Sequence, residues 1–174
     1  DLNTIRNYTH IFTIFMTRDY NNDILITLHR RENHKLIPFW YQQIEEIASE
    51  NPTLNFVFIS HPNPDSKGTF KKPLSNVRAI QPLPHKEFIK RITACRFLIT
   101  DSGGLQEEAS FLKKKVIVCR ETTERPEALG SFTHLCKSVG ELPELFNKIK
   151  EDFVPEGKCP FGDGKAAEKI LQLL

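Results

Sequence analysis

Short apolar runs alternate with amphipathic stretches along most of this chain of 174 residues. Apolar runs of about four or five residues have the length of buried strands, whereas apolar residues spaced by three and four indicate helices. The predicted strands lie at residues 24–28, 56–59, 77–80, 97–100, 116–118 and 134–136. The predicted helices lie at residues 1–17, 37–49, 85–95, 105–112, 141–153 and 165–174. This alternation predicts an α/β fold, a Rossmann-like parallel sheet with helices on both faces.

Length and composition limit the number of domains and the kinds of partner. The chain is long enough for one domain with a hydrophobic core, so we expect residues 1–23 to form a leading helix and linker and residues 24–174 to form the domain. Lys and Arg total 24 against 22 Asp and Glu, a balance that does not favour a nucleic-acid partner. Since no apolar run approaches the roughly 20 residues of a membrane helix, we expect no membrane span.

Polar motifs follow the predicted strands at the point where each strand ends. They lie at residues 29–33, 61–64, 101–104 and 120–125. The carboxyl ends of parallel strands share one edge of a sheet, which is where such folds bind ligands. We therefore expect the motifs to form a single site.

The turn at residues 101–104 reads Asp-Ser-Gly-Gly and leads from a strand into a helix. Two glycines at a helix start let an anion approach the backbone N–H groups, which favours phosphate. Glu107 and Glu108 lie about one turn into that helix, where a carboxylate can accept hydrogen bonds from ribose hydroxyls. Two alternatives are a purely structural Gly-Gly turn and a trypsin-like protease, which would require a β-barrel.

Basic residues supply further candidates, each with an ordinary structural alternative. His29 is either a structural histidine or, beside Arg30 and Arg31, part of a binding site. Of Arg120 and Arg125, one guanidinium could grip a diphosphate, while pairing with Glu121 and Glu124 is the alternative. The weaker candidate His61 follows a strand, and the lysine run at residues 113–115 is predicted to be a solvated turn.

Four cysteines are spread widely along the sequence, without a C-x-x-C pair. Free thiols in a reducing cytosol are the favoured interpretation. A zinc site built with His29 or His34 is the alternative. The cysteines are Cys95, Cys119, Cys136 and Cys159.

Four blocks of this sequence carry a family resemblance in their order and spacing. They are residues 28–33, 100–109, 120–128 and 161–167, which read LHRREN, TDSGGLQEEA, RETTERPEA and FGDGKAA. Together they resemble the non-hydrolysing UDP-N-acetylglucosamine 2-epimerases, and the resemblance covers residue 24 to the end. It implies the C-terminal half of a glycosyltransferase-B-like fold, in which two Rossmann-type domains enclose the substrate.

The resemblance also implies a reaction. Members of the family interconvert UDP-N-acetylglucosamine and UDP-N-acetylmannosamine by elimination and re-addition of UDP, without a metal or another cofactor. The main carboxylates that handle the C2 proton come from the first domain. The chain is therefore expected to bind UDP or a UDP-N-acetylhexosamine and to need an N-terminal domain, in cis or in trans, for turnover.

The roles implied for single residues follow the matching motifs. His29 would be catalytic, close to the diphosphate and the reacting sugar. Arg30 and His61 match positions that help to bind a second, allosteric UDP-sugar in bacterial relatives. The UDP-binding residues would be Ser102, Gly103 and Gly104 at the diphosphate, Glu108 at the ribose and Arg125 at the phosphates.

Several alternatives to this interpretation stay open at the level of sequence. The chain could be a stand-alone, non-catalytic UDP-binding module, an epimerase for another UDP-N-acetyl sugar, or half of a glycosyltransferase with the same fold. Two of the resembling blocks argue against the glycosyltransferase. The family further implies a homodimer in the cytoplasm.

Overall fold

A computed structural model describes residues 20–60 and 74–172. Within these residues, six parallel strands form one sheet in the order β3-β2-β1-β4-β5-β6. The strands are β1 Asp23–Thr27, β2 Asn55–Ile59, β3 Val77–Ile80, β4 Phe97–Thr100, β5 Val116–Cys119 and β6 Thr133–Cys136. The predicted parallel α/β sheet is confirmed, and a parallel sheet excludes the β-barrel that the protease alternative requires.

Helices follow most strands, as the spacing of apolar residues predicts. They are α1 Ile37–Glu50, α2 His85–Ala94, α3 Gly103–Phe111, α4 Leu142–Glu151 and α5 Ala166–Leu171. Short 3-10 helices lie at Arg31–Asn33, Pro126–Ala128 and Val139–Glu141. The helix predicted at residues 1–17 and the candidate His61 lie outside the described residues. Among the helices of the described residues, none combines the length and the hydrophobicity that a membrane span requires.

Two hydrophobic layers sandwich the sheet, one on each face. Helices α1 and α4 cover the first face, where Trp40 and Phe146 are fully buried and the Phe146 ring lies 5.5 Å from that of Phe97. Helices α2 and α3 cover the second face, and their buried residues Ile92 and Ala109 pack against it. Helices on both faces leave the strand ends as the accessible polar edges of the sheet.

The order in which the chain adds strands to the sheet reverses between β1 and β4. From β1 it continues to β2 and β3 on one side, and from β4 to β5 and β6 on the other. Thr27 and Thr100, which end these two strands, are paired in register, and their hydroxyl oxygens lie 2.6 Å apart. Such a switch point opens a crevice at the carboxyl ends of the strands, where doubly wound sheets bind ligands.

The lysine run after α3 is largely buried, so the prediction of a solvated turn was wrong. Lys114 is 1% exposed, its amine donates to the backbone oxygen of Cys95, and its Nζ lies 4.0 Å from the centre of the Tyr20 ring. Lys115 Nζ lies 2.7 Å from Asp152 Oδ2 and lowers the pKa of that carboxyl. The alkyl stems are buried while each amine reaches an acceptor, an arrangement that a charge run does not reveal.

Candidate functional site

The N-terminus of α3 opens on the carboxyl edge of the sheet at the switch point. Ser102 precedes the helix, and its backbone N–H donates to Thr100 Oγ1 at 3.1 Å. The next N–H groups, beginning with Gly103 and Gly104, have no acceptor within the helix, and the helix dipole adds partial positive charge there. Among the described residues, no side chain caps this helix. The turn therefore presents backbone donors to a ligand.

Two guanidinium groups converge on Gly103. A β-carbon added there would stand 3.4 Å from Arg30 Nη2, 3.8 Å from the guanidinium carbon of Arg125 and 3.7 Å from Glu124 Oε2. Gly104 is exposed, and in the described structure nothing lies within 4 Å of the corresponding point. We call this space, bordered by Arg30, Arg125, the Glu124 carboxylate and the glycines, the cradle. Glu124 Oε1 lies 3.9 Å from Arg30 Nη2. Its cations and N–H donors suit a phosphate.

The position of Arg125 is fixed by α3. Its Nε donates to Glu107 Oε1, and a guanidinium held through Nε keeps four other N–H donors for a ligand. The backbone N–H of Arg125 donates to Thr123 Oγ1 at 3.1 Å, and that hydroxyl donates to the buried Gln106 at 2.7 Å. The loop after β5 is thereby tied to the helix whose N-terminus it faces.

Arg120, the other arginine of this loop, forms ion pairs with two glutamates. Its Nε lies 2.7 Å from Glu32 Oε1, its Nη1 lies 2.6 Å from Glu124 Oε2, and its side chain is only 9% exposed. The hydrogen bond from Arg120 lowers the pKa of the Glu124 carboxyl to about 2. The sequence left both arginines as candidates for a diphosphate, and the geometry places Arg125 at the cradle and Arg120 behind it.

Asp101 is buried behind the cradle and connects it to the loop after β1. One carboxylate oxygen accepts the backbone N–H groups of His29 at 3.0 Å and Arg30 at 2.9 Å, and Asn33 Nδ2 at 3.0 Å. Asn33 Nδ2 also donates to the backbone oxygen of Cys119 at 2.9 Å. Asp101 and Asn33 together thus join the ends of β1, β4 and β5. Sequence analysis missed the roles of Asp101 and Asn33, although both lie in motifs that follow strands.

His29 lies between this buried carboxylate and the open edge of the sheet. Its Nδ1 is 3.6 Å from Asp101 Oδ1, and its side chain is 29% exposed. That arrangement gives the imidazole a nearby acidic partner and a face directed to solvent. A histidine so placed can donate to a phosphate oxygen or move a proton at the edge of the cradle.

Glu108 lies farther along α3 than the cradle. Its Oε1 is 3.1 Å from Nε2 of His85, the first residue of α2, and 37% of its side chain is exposed. Sequence analysis did not identify His85 as a partner, because the two residues are 23 positions apart and belong to different helices. Only the packing of α2 beside α3 brings them together.

The described structure brings most of the predicted site residues to one edge. His29, Arg30, Ser102 and the two glycines meet Arg125 there, and Glu108 follows on the same helix. The four cysteines are free, and the described residues contain no group of three or more His, Cys, Asp or Glu side chains arranged to hold a metal ion. The zinc alternative thus has no support in the described part of the chain.

Comparison with known proteins identifies the family. The sequence model of the family described as UDP-N-acetylglucosamine 2-epimerase matches residues 3–174. This chain belongs to the UDP-N-acetylglucosamine 2-epimerase family. A UDP-N-acetylglucosamine 2-epimerase from Campylobacter jejuni is 38% identical over an alignment of 174 positions, which covers 92% of this chain and 45% of that protein. The chain therefore spans about half the length of the curated relatives it matches.

Solved structures of several proteins share this fold, among them a UDP-GlcNAc 2-epimerase. The enzyme from Neisseria meningitidis bound to UDP-GlcNAc matches with a TM-score of 0.80 at 32% identity, covering 98% of this chain and 48% of that one. The complex of S. aureus MnaA with UDP matches with a TM-score of 0.75 at 28% identity, covering 88% and 44%. E. coli heptosyltransferase WaaC with ADP, at 14% identity and a TM-score of 0.56, shares the fold alone over 83% and 48%.

Proposed function

We propose that this chain is the UDP-binding part of a UDP-N-acetylglucosamine 2-epimerase. The observation that carries the proposal is the convergence of Arg30 and Arg125 on Gly103, at the N-terminus of α3 and the switch point of the sheet. Fixed cations and backbone N–H donors at one point match a diphosphate better than a neutral ligand. The similar proteins solved with UDP-GlcNAc or UDP support the choice of nucleotide.

Each part of the ligand has a partner in this proposal. The N–H groups at Ser102, Gly103 and Gly104 and the guanidinium of Arg125 hold the diphosphate. Glu108 accepts the ribose hydroxyls, since a carboxylate is an acceptor on both oxygens. The exposed face of His29 reaches the leaving phosphate oxygen.

The same geometry suits elimination of UDP from a UDP-N-acetylhexosamine. Breaking the bond between the sugar and UDP leaves negative charge on the β-phosphate, and fixed donors aimed at that charge stabilise the transition state. The hydrogen at C2 must leave and return through acid–base groups. We assign that step to an N-terminal domain, in cis or in trans, so that this chain by itself binds UDP or the UDP-sugar without epimerising the sugar.

Three further elements belong to the proposal. Arg30 and His61 would contact a second, allosteric UDP-sugar, and the position of Arg30 at Gly103 would make that contact adjoin the diphosphate. The complete enzyme would be a homodimer. It would act in the cytoplasm, an assignment supported by the four free thiols.

Calorimetry of UDP against the purified chain tests the binding site. Replacing Glu108 or Arg125 with alanine should weaken binding by about 1–3 kcal/mol each, because a hydrogen bond to a charged group is lost. Glu121→Ala is the matched control, since Glu121 is exposed on the loop that carries Arg125. Unchanged affinity in both test variants would contradict the assigned site.

Isotope exchange at C2 distinguishes an enzyme part from a stand-alone binding module. We expect no exchange of the C2 proton with deuterated water when UDP-N-acetylglucosamine is mixed with the chain. Exchange should begin when a separately produced N-terminal domain is added. Exchange by this chain without that domain would contradict the assignment of C2 chemistry to the other half.

A further inference from the structure

A contact between the side chains of His85 and Glu108 links α2 to α3, and the packing of these helices on the sheet does not require it. His85 starts α2 and Glu108 lies in α3, and both helices pack on the same face of the sheet. The 3.1 Å contact between His85 Nε2 and Glu108 Oε1 crosses from one helix to the other. The His85 side chain is 60% exposed and that of Glu108 is 37% exposed, so solvent and ligands can reach the pair.

We infer that His85 is a positioning residue that holds the Glu108 carboxylate for the ribose of UDP. The inference rests on the proposed function, because it concerns the sugar contact of the same site. His85 acts through Glu108 and needs no contact with the nucleotide. His85 would strengthen the binding of one chemical group, the cis-diol of ribose.

The reason is the flexibility of the glutamate side chain. A free glutamate samples many rotamers. A ligand that binds only one of them has a lower affinity, because restricting the side chain to that rotamer costs conformational entropy. The imidazole N–H donates to Oε1 and restricts the carboxylate before the ligand arrives. Because each carboxylate oxygen has two lone pairs, Oε2 and the second lone pair of Oε1 can still accept two ribose hydroxyls.

A role in stability alone predicts a different outcome. An ion pair or hydrogen bond between exposed side chains contributes little to folding. Loss of His85 should therefore leave thermal unfolding nearly unchanged while ribose recognition suffers. The effect on binding should also vanish when Glu108 is absent or when the ligand has no ribose hydroxyls.

Calorimetry with two ligands tests the inference on the full chain. We expect His85→Ala to weaken UDP binding by about three- to tenfold, the effect of losing one modest hydrogen bond. His85→Gln should recover most of that loss, because its amide can donate in place of the imidazole. Lys86→Ala, which removes an exposed charge from the next residue, is the control and should bind as the unmodified chain does. Thermal unfolding of each variant verifies that it folds.

The second ligand is 2′,3′-dideoxyuridine diphosphate, which lacks both ribose hydroxyls. His85→Ala and the unmodified chain should bind it equally, and adding His85→Ala to Glu108→Ala should leave the affinity for UDP unchanged. Unchanged UDP binding by His85→Ala, or an equal loss for both ligands, would overturn the inference. If the unmodified chain bound no UDP, the proposed function itself would fail. If the chain bound UDP and His85→Ala bound it equally well, only this inference would be overturned.

Discussion

Among single residues, Asp101 contributes most to assembling the edge of the sheet. It is fully buried, and its carboxylate accepts N–H groups from His29, Arg30 and Asn33. A buried carboxylate is costly unless its oxygens are hydrogen-bonded. The loop after β1 supplies those donors, and in return Asp101 fixes the loop beside the cradle.

Removing this carboxylate should destabilise the fold. Asp101→Ala leaves buried N–H donors without their acceptor, so we expect the free energy of unfolding to fall by about 2–4 kcal/mol. Denaturant unfolding followed by circular dichroism measures the change. Glu121→Ala, an exposed carboxylate on the same edge, should change stability by no more than about 0.5 kcal/mol. Equal stabilities for the two variants would show that Asp101 does not hold the loops together.

Glu124 should titrate well below an ordinary glutamate. The hydrogen bond from Arg120 lowers its pKa from 4.5 to about 2, so the ion pair stabilises the folded chain above pH 4.5 and this contribution is lost as the pH falls towards 2. Carboxyl NMR titration measures the pKa directly. In Arg120→Gln we expect it to return towards 4.5, and an ordinary pKa in the unmodified chain would refute the pairing.

Residue pairs of this kind are what the sequence predicts least well. Glu121 and Glu124 were both plausible partners for the arginines of the loop, and packing selects Glu124 for Arg120. The contact of His85 with Glu108 depends on how α2 and α3 lie side by side. Such choices are made by tertiary structure, so local pattern and charge do not reveal them.

At the scale of elements, the sequence is far more informative. Buried parallel strands are short continuous apolar runs, which is why residues 97–100 and 116–119 are recognisable as β4 and β5. Their placement in a parallel sheet brings the motifs after them to one edge. The clustering of His29, Ser102 and Arg125 therefore follows from strand order, although the ion pairs behind them do not.

The first turn of α3 tests the phosphate cradle without disturbing the fold. Gly103→Ala and Gly104→Ala introduce no backbone strain, because neither glycine has a positive φ. Since alanine is the better helix former, stability should stay the same or rise by up to about 1 kcal/mol. Binding of UDP should nevertheless fall by about tenfold or more, or 1.4 kcal/mol, because the new methyl groups occupy the anion's approach.

Gly140→Ala is a matched control for these variants. Like Gly104, it has open space around an added β-carbon and an ordinary φ, but it lies in the 3-10 helix Val139–Glu141 after the edge strand β6. We expect UDP binding to be unaffected there. Thermal unfolding and calorimetry on the same preparations separate stability from affinity. Full UDP affinity in both α3 variants would contradict the cradle.

At the scale of the whole molecule, the switch point places the candidate site at one edge of the sheet. From β1 and β4 the chain adds strands in opposite directions, and Asp101, which follows β4, accepts a hydrogen bond from Arg30 in the loop after β1 at this point. Doubly wound sheets bind ligands at such a switch point. The relatives are about twice as long as this chain, which spans 45% of the one from Campylobacter jejuni. In our proposal, this edge of the sheet binds UDP. The acid–base chemistry at C2 belongs to the part of the relatives that this chain does not match.

Amide NMR spectra of the chain titrated with UDP test this arrangement most directly. We predict saturable shifts of the amide signals at residues 29–30, 102–105 and 125, all at the carboxyl edge of the sheet. The amides of Asn22, Asn76 and Lys115, which immediately precede strands at the opposite edge, should hardly move. Shifts confined to that opposite edge, or no shifts at saturating UDP, would contradict a uridine diphosphate site at the N-terminus of α3.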